Sequence, residues 1–343
     1  MASGTHTTTT KGTTMPALLS GHTLVPIFGG AILEYSERNK KHVGSKIFPR
    51  VNSRKREGKI PVVPIEALTE LPPTLRNDDG SFNESGWRVE SLSFATEQHG
   101  FQERVPDEDV PYWQGHLDPI DFAISRVGGI IGRRVEKLRC DMAVDTGVFT
   151  STNAGVLWAT VATADPLLDV TTELEALEDN VGADPEEDVI MVMSIRTLRV
   201  LNRSTAIADR IKFTHSGMQR PYSKELLAEL FGVSRIEVAR GRYNTADQGL
   251  AASLSDIWDD DYVWIGLAAD APDDLGSDPL QPSAGYSFLW SEMMEDDGGE
   301  DYPIMTTMFR DDDREGQIVR GKTWIGVKTA NASAGRLLRV KGF

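Results

Sequence analysis

The sequence predicts an α+β protein, and three observations carry that prediction. Residues 118–145 hold one long amphipathic helical pattern. Residues 151–285 alternate helix and strand signals. Residues 44–112 and 286–343, on either side, are dominated by strand and turn signals. The 343 residues allow one large domain or two ordinary ones, and no internal repeat divides them.

The long helix is the clearest element. Asp118 caps the free amides at its start, and Pro119 fits the first turn. Apolar residues then fall at Ile120, Ile124, Val127, Ile131, Leu138 and Met142. The steps are three, four or multiples of these, which is one face of a helix reaching about Asp145. Gly128, Gly129 and Gly132 each weaken a helix by about 1 kcal/mol. Their presence predicts close approach by another backbone, such as strands crossing the helix. Cys140 lies on the same helix and is expected to be a buried, inert thiol. As the single cysteine it excludes a disulfide framework, which suits a reducing cytoplasm.

Residues 1–43 read as an N-terminal arm. Its first 23 residues are rich in Thr, Gly and Ser, cannot bury enough apolar surface to offset ordering, and are expected to be disordered alone. Residues 44–112 read as a long β-hairpin with little core of its own. Ile60–Ile65 is β-branched but contains Pro61 and Pro64, which allow an edge strand or free-standing ribbon and forbid a central strand. Asn77–Gly80 is a turn signal, and Trp87–Thr96 alternates, with Leu92 and Phe94 on one face. Such a ribbon is marginal when isolated and needs a surface to lie on.

In residues 151–285, Asp165–Pro166 opens a helix through Leu177, and Val189–Met193 is an apolar run expected to be buried on both faces. Ile195–Asn202 and Thr205–Ile211 look helical. Ser223 begins a helix that Gly232 ends. Arg235–Ala239 and Tyr262–Ala268 complete the strands. Five strands are then expected at Ser287–Trp290, Ile304–Arg310, Gln317–Val319, Thr323–Lys328 and Arg336–Lys341.

The formal charge is 36 minus 52, or −16, which opposes general binding to nucleic acid or anionic membranes. Residues 1–60 hold ten Lys or Arg against three acids, or +7, leaving −23 for the rest. Two readings of that basic segment stand: an arm that docks on the acidic face of an identical neighbour, or a solvated loop. The N-terminus lacks the pattern of a signal peptide. The apolar stretch Leu24–Leu33 is interrupted by Pro26, Gly29 and Gly30 and is too short to span a bilayer.

The search for chemistry returns no catalytic, cofactor-binding or metal-ligating set. No phosphate loop or GxSxG elbow is present, and Gly128–Gly132 lacks dinucleotide spacing. His6, His22, His42, His99, His116 and His215 do not pair at zinc-ligand spacing. The runs Asp259–Asp261, Asp273–Asp274, Asp296–Asp297 and Asp311–Asp313 do not fit a calcium loop. They read as solvated acids, with a weak divalent-ion site between subunits as the alternative.

The order of parts resembles the major capsid proteins of tailed phages, the Hong Kong 97 fold. Tyr112–Asp145 resembles the segment entering the spine helix. Ala164–Val170 resembles the Pro-bearing start of the next helix. Val189–Ser194, followed by Leu198, Leu201 and Ile211, resembles the strand-then-helix of the axial domain. Leu227–Val233 leading to Ile236–Val238 is similar to another recurring segment.

The likeness covers about residues 24–343 and rests on several moderately specific pieces. It implies an N-terminal arm (1–43), an extended loop (44–112), a peripheral domain with the spine helix (113–150), an axial domain (151–285) and returning peripheral strands (286–343). It implies a non-enzymatic virion subunit, without cofactors, that self-assembles into hexamers and pentamers of an icosahedral head around double-stranded DNA. A scaffolding protein is expected to be separate, alongside a portal and decoration proteins, with assembly in the host cytoplasm. Lys46, Lys55, Lys59 and Asn331 have no context that singles them out for the covalent cross-link of some relatives. An encapsulin-type compartment shell, a tail-tube or other virion protein, and a soluble acidic hydrolase without a recognisable motif remain as alternatives.

Overall fold

A computed structural model describes residues 42–71, 74–75, 86, 89–113, 117–214, 221–247, 249–269, 282–293 and 303–341. In chain order its first elements are α1 (Gly44–Ile47), β1 (Arg50–Ser53), β2 (Glu57–Val62), α2 (Ile65–Leu68), β3 (Glu90–Ala95), β4 (Glu97–Pro106) and α3 (Asp109–Trp113). The middle holds α4 (Pro119–Ala143), β5 (Thr150–Asn153), α5 (Pro166–Val181), β6 (Val189–Ser194), α6 (Ile195–Leu201), α7 (Thr205–Thr214), α8 (Lys224–Phe231) and β7 (Arg235–Ala239). The last are β8 (Arg242–Asn244), β9 (Leu254–Asp256), β10 (Tyr262–Leu267), β11 (Gly285–Trp290), β12 (Met305–Asp311), β13 (Gly316–Thr329) and β14 (Gly335–Arg339). The residues 1–41 of the expected arm, the Asn77–Gly80 turn and the runs Asp273–Asp274 and Asp296–Asp297 lie outside the described residues.

The caps form as the sequence dictates. Asp118 accepts from the amides of Ile120 and Asp121 at the start of α4, Asp165 from Leu168, and Ser223 from Leu226. Gly182 and Gly232 end α5 and α8 in the left-handed region, at φ 68° and 67°. In α4 the buried stripe runs through Ala123, Val127, Ile131, Val135, Arg139 and Ala143, with Gly132, Glu136 and Cys140 beside it. The expected stripe was rotated slightly: Ile120, Ile124, Leu138 and Met142 are only partly buried. The sequence reading followed apolar side chains, whereas two charged residues, Glu136 and Arg139, occupy the inner face.

One five-stranded sheet has the order β5-β14-β10-β6-β7, with β14 and β6 antiparallel to β10 and β5 and β7 parallel to their neighbours. Every residue of β6 is buried, as its unbroken apolar run predicts. Its core includes Trp158, Leu177, Leu201, Phe231, Trp264 and Leu337, and it extends to Cys140, Phe48 and Val43.

The second sheet is organised by β13. Gln317–Val319 and Thr323–Lys328 were expected as two strands, but they form one of 14 residues. Along one edge β13 pairs with β4 over residues 316–325. Its other edge pairs first with β12 over 316–322 and then with β11 over 325–329, and β1 joins β11 in parallel. The helix α4 packs on one face, where Val105, Val319 and Ile325 meet Ala123, Val127, Ile131 and Val135. Gly321 makes that contact close. A Cβ there would meet Val127 Cγ1 at 2.6 Å and Ile131 Cδ1 at 2.8 Å. Close helix–strand approach was expected from glycines in the helix; the glycine it depends on here is in the strand.

Two elements differ from the expected divisions. The two-stranded ribbon is β2 with β3, and Pro61 sits in it opposite Ser91, as a free-standing ribbon permits. β4 continues past it into the second sheet, and α1 and β1 are part of the body. β14, whose residues fall in the span 286–343 read as returning strands, lies in the first sheet, between β5 and β10. Alternation alone cannot assign a strand to one of two sheets, because both offer an apolar face.

Candidate assembly surfaces

Among the described residues the ribbon is fixed to the body at its base. Phe94 stacks on Phe288, with ring centroids 4.3 Å apart, and Tyr286, Val51 and Ile60 close this small cluster. Gly58 lies under the Phe94 ring, where a Cβ would approach to 2.8 Å. Thr96 donates through its amide to Arg56 O at 2.9 Å, closing the ribbon end. Past Val62 the chain exposes Val63, Ile65, Leu68, Leu71 and Leu75, with Leu71 93% and Leu75 86% accessible.

A buried carboxylate anchors the start of the described chain. Glu136 accepts from the amides of Val43 (2.8 Å) and Gly44 (3.1 Å) and from Trp258 Nε1 (2.7 Å). Arg139, one turn on, donates through Nε to Ser287 Oγ at 3.1 Å, and Ser287 Oγ donates to Phe48 O at 3.0 Å. The segment leaving the arm is thereby tied to α4, to the first sheet's core and to β11. Val43 is fully buried, so the body begins before residue 44. Sequence reading missed Glu136 and Arg139. The available signal was two charges at helical spacing with the buried positions Gly132, Val135, Cys140 and Ala143.

The face of the second sheet opposite α4 carries Arg104 and Gln102 on β4, Met305 and Phe309 on β12, and Arg320, Lys322 and Trp324 on β13. Arg320 lies over the Phe309 ring at 4.7 Å and donates to Gln102 Oε1; Lys322 lies over Trp324 at 5.1 Å. Trp324 meets Trp290 edge-on, and Trp290 Nε1 donates to Arg54 O at 3.1 Å, which brings the turn of Arg54, Lys55 and Arg56 to the same face.

The ionic pairs lie elsewhere. Glu103 pairs with Arg126, Asp107 and Asp312 with Arg310, Asp141 with Lys137, Asp256 with both Arg196 and Arg242, and Glu173 with Arg336. Asp259, Asp260 and Asp261 bring their carboxylates within 4.8 Å of one another, and Lys341 Nζ reaches Asp260 at 2.8 Å and Asp261 at 3.8 Å. One protein cation thus offsets part of the charge of this cluster, which the sequence offers as one candidate for a divalent ion.

Burial pushes the Cys140 thiol well above its ordinary pKa, and its Sγ lies 3.1 Å from Ile257 O. His99, half-buried on β4, is held below its ordinary value by burial first and by Arg134 second. Lys46, Lys55 and Lys59 are exposed, while Asn331 accepts from Ser333 N and caps the following turn. No described helix is long and apolar enough to cross a membrane.

No protein-family model matches the chain. It is similar to the major capsid protein of Pseudomonas phage JBD67, with 24% identity over 221 residues that span 64% of this chain and 70% of that protein. Among solved structures, a phage-related protein from Bordetella bronchiseptica RB50 superimposes with a TM-score of 0.61 at 21% identity, covering 87% of this chain and 92% of that one. The capsid of cyanophage P-SCSP1u matches with a TM-score of 0.56 at 13% identity, covering 92% of each chain. The chain has the Hong Kong 97-type fold of phage capsid proteins.

Proposed function

We propose that this chain is a major capsid protein, a structural subunit that self-assembles into the hexamers and pentamers of an icosahedral phage head enclosing double-stranded DNA. The observation that carries the reading is the ribbon β2–β3. It is held to its own body by the Phe94–Phe288 stack and the small cluster around it, and the segment that follows β2 presents Leu68, Leu71 and Leu75 to solvent. In a monomer these side chains gain nothing. Laid on a neighbour, each exchanges water for apolar contact at about 25 cal/mol per Å². Repeated around a closed shell, many modest contacts sum to a stable particle.

The role is one of shape and contact. The location is the virion capsid, with assembly in the host cytoplasm. A separate scaffolding protein, a portal and decoration proteins are the further partners this role calls for. DNA is enclosed without sequence-specific binding, in keeping with a charge of −16.

Because Val43 is part of the core, the deletion that tests the arm ends at residue 41. Removing residues 1–41 is expected to leave subunit folding intact by circular dichroism and to reduce the yield of closed particles in electron micrographs. Unchanged particle yield and heat stability after that deletion would remove the arm from the assembly scheme.

A further inference from the structure

We propose that the open face of the β4–β13–β12 sheet is the docking site for the acidic face of α5 on a second copy of this chain. The inference rests on the shell reading above and deepens it by naming two surfaces that meet.

The first surface is a strip of cations without carboxylate partners. Arg54, Lys55, Arg56, Arg104, Arg320 and Lys322 form no ion pair among the described residues. Arg320 and Lys322 are held by rings beneath them, not by acids. Strand pairing puts Arg104, Arg320 and Lys322 on one side, since Arg104 is opposite Ile318 and Gln102 opposite Arg320. α4 covers only the other side. The face is also partly apolar: Phe309 is 40% and Met305 37% accessible. A cationic sheet face with exposed aromatic and thioether groups beside the buried Ile318 and Trp324 has the composition of an interface.

The second surface is its counterpart. α5 turns Glu175, Glu178 and Asp179 outward, and the turn after Gly182 adds Asp184, Glu186 and Glu187. These six carboxylates form no ion pair among the described residues, in contrast to Glu173 on the buried side of α5, which Arg336 holds. Some other acids do have a cation at hand: Lys341 reaches Asp260 and Asp261, and Arg310 reaches Asp107 and Asp312.

Six unpaired cations on one element group and six unpaired carboxylates on another make the chain self-complementary head to tail. Within one chain the acidic face packs by its inner side on β14, β10 and α8, and none of these belongs to the cationic sheet. A heterologous contact of this kind repeats around a ring and closes it when the rotation permits. A nucleic-acid backbone is the competing anion. The strip fits it less well, because the rest of the chain carries the large negative excess that repels a polyanion.

The test is charge reversal with rescue in the full chain. One variant carries R104E, R320E and K322E, a second carries E175K, E178K and D179K, and a third carries all six. Closed particles are counted by electron microscopy and sedimentation, with circular dichroism confirming folded subunits. Each single set is expected to cut particle yield at least about tenfold, and the six-fold variant to recover most of it.

Normal particles from either three-fold variant, or no recovery in the folded six-fold variant, would overturn the proposal. So would a basic-face variant that assembles normally but loses DNA retention at low salt, which would assign the strip to nucleic acid. If the unaltered chain forms no particles or rings under any condition, the shell reading itself falls and this contact with it.

Discussion

Replacing Glu136 by alanine is expected to be among the most damaging single changes in this chain. The carboxylate is 1% accessible and takes three donors: the amides of Val43 and Gly44 and the indole of Trp258. Leaving a buried donor unpaired costs about 1–3 kcal/mol, so three bracket a loss of about 3–9 kcal/mol. The lower half of that range is expected, about 3–5 kcal/mol, because the two amides are adjacent, at Val43 and the first residue of α1, so their costs are not independent. Glu136→Gln keeps the shape and one accepting oxygen, and its loss should be about 1–2 kcal/mol. The assay is guanidinium unfolding of the full chain, followed by tryptophan fluorescence, for wild type and both variants in the same assembly state. An alanine variant within about 0.5 kcal/mol of wild type, or a glutamine variant as damaged as alanine, would refute the view that this carboxylate pins the entry segment.

Three further outcomes are expected. Gly326→Ala would place a Cβ 2.1 Å from Ala95 O, a backbone atom that cannot swing aside, so β13 and the β3–β4 junction must separate; a loss of about 1–3 kcal/mol is expected in thermal unfolding, and an unchanged midpoint would contradict it. Cys140 should resist a thiol-titrating reagent in the folded chain and react fully once denaturant is added, since burial raises its pKa and hides the sulfur; fast labelling of the folded protein would argue against that packing. Because His99 has its pKa lowered on folding, the unfolded chain takes up its proton first. Its stability contribution is therefore present above pH 6.5 and declines as pH falls from 6.5 toward the folded value, and His99→Gln should flatten that part of the unfolding profile.

The sequence was legible where local chemistry decides the outcome. Asp118–Pro119, Asp165–Pro166 and Ser223 set helix starts because capping involves neighbouring residues only, and the unbroken apolar run at β6 reads as a doubly buried strand, as it is. It was less legible where partners distant in sequence decide. β4 reads like more ribbon, yet it pairs with β13 more than 200 residues later, and β14 joins the first sheet instead of the second. Gln317–Val319 and Thr323–Lys328 read as two strands, yet Gly321 between them lies against Val127 and Ile131 of α4 and lets one strand continue. Glu136 and Arg139 were not legible because only the fold supplies the amides, indole and hydroxyl they bind. The assembly surfaces were half visible: the ribbon follows from Pro61 and Pro64, but its anchoring by Phe94 on Phe288 required the structure.

The central claim is that this chain builds a closed shell, and the most direct measurement is negative-stain electron microscopy of the purified full-length protein with light scattering for mass. The claim predicts closed particles, or rings of five and six subunits that close when salt, pH or a scaffolding protein is supplied. A monodisperse monomer or dimer under all those conditions would contradict it.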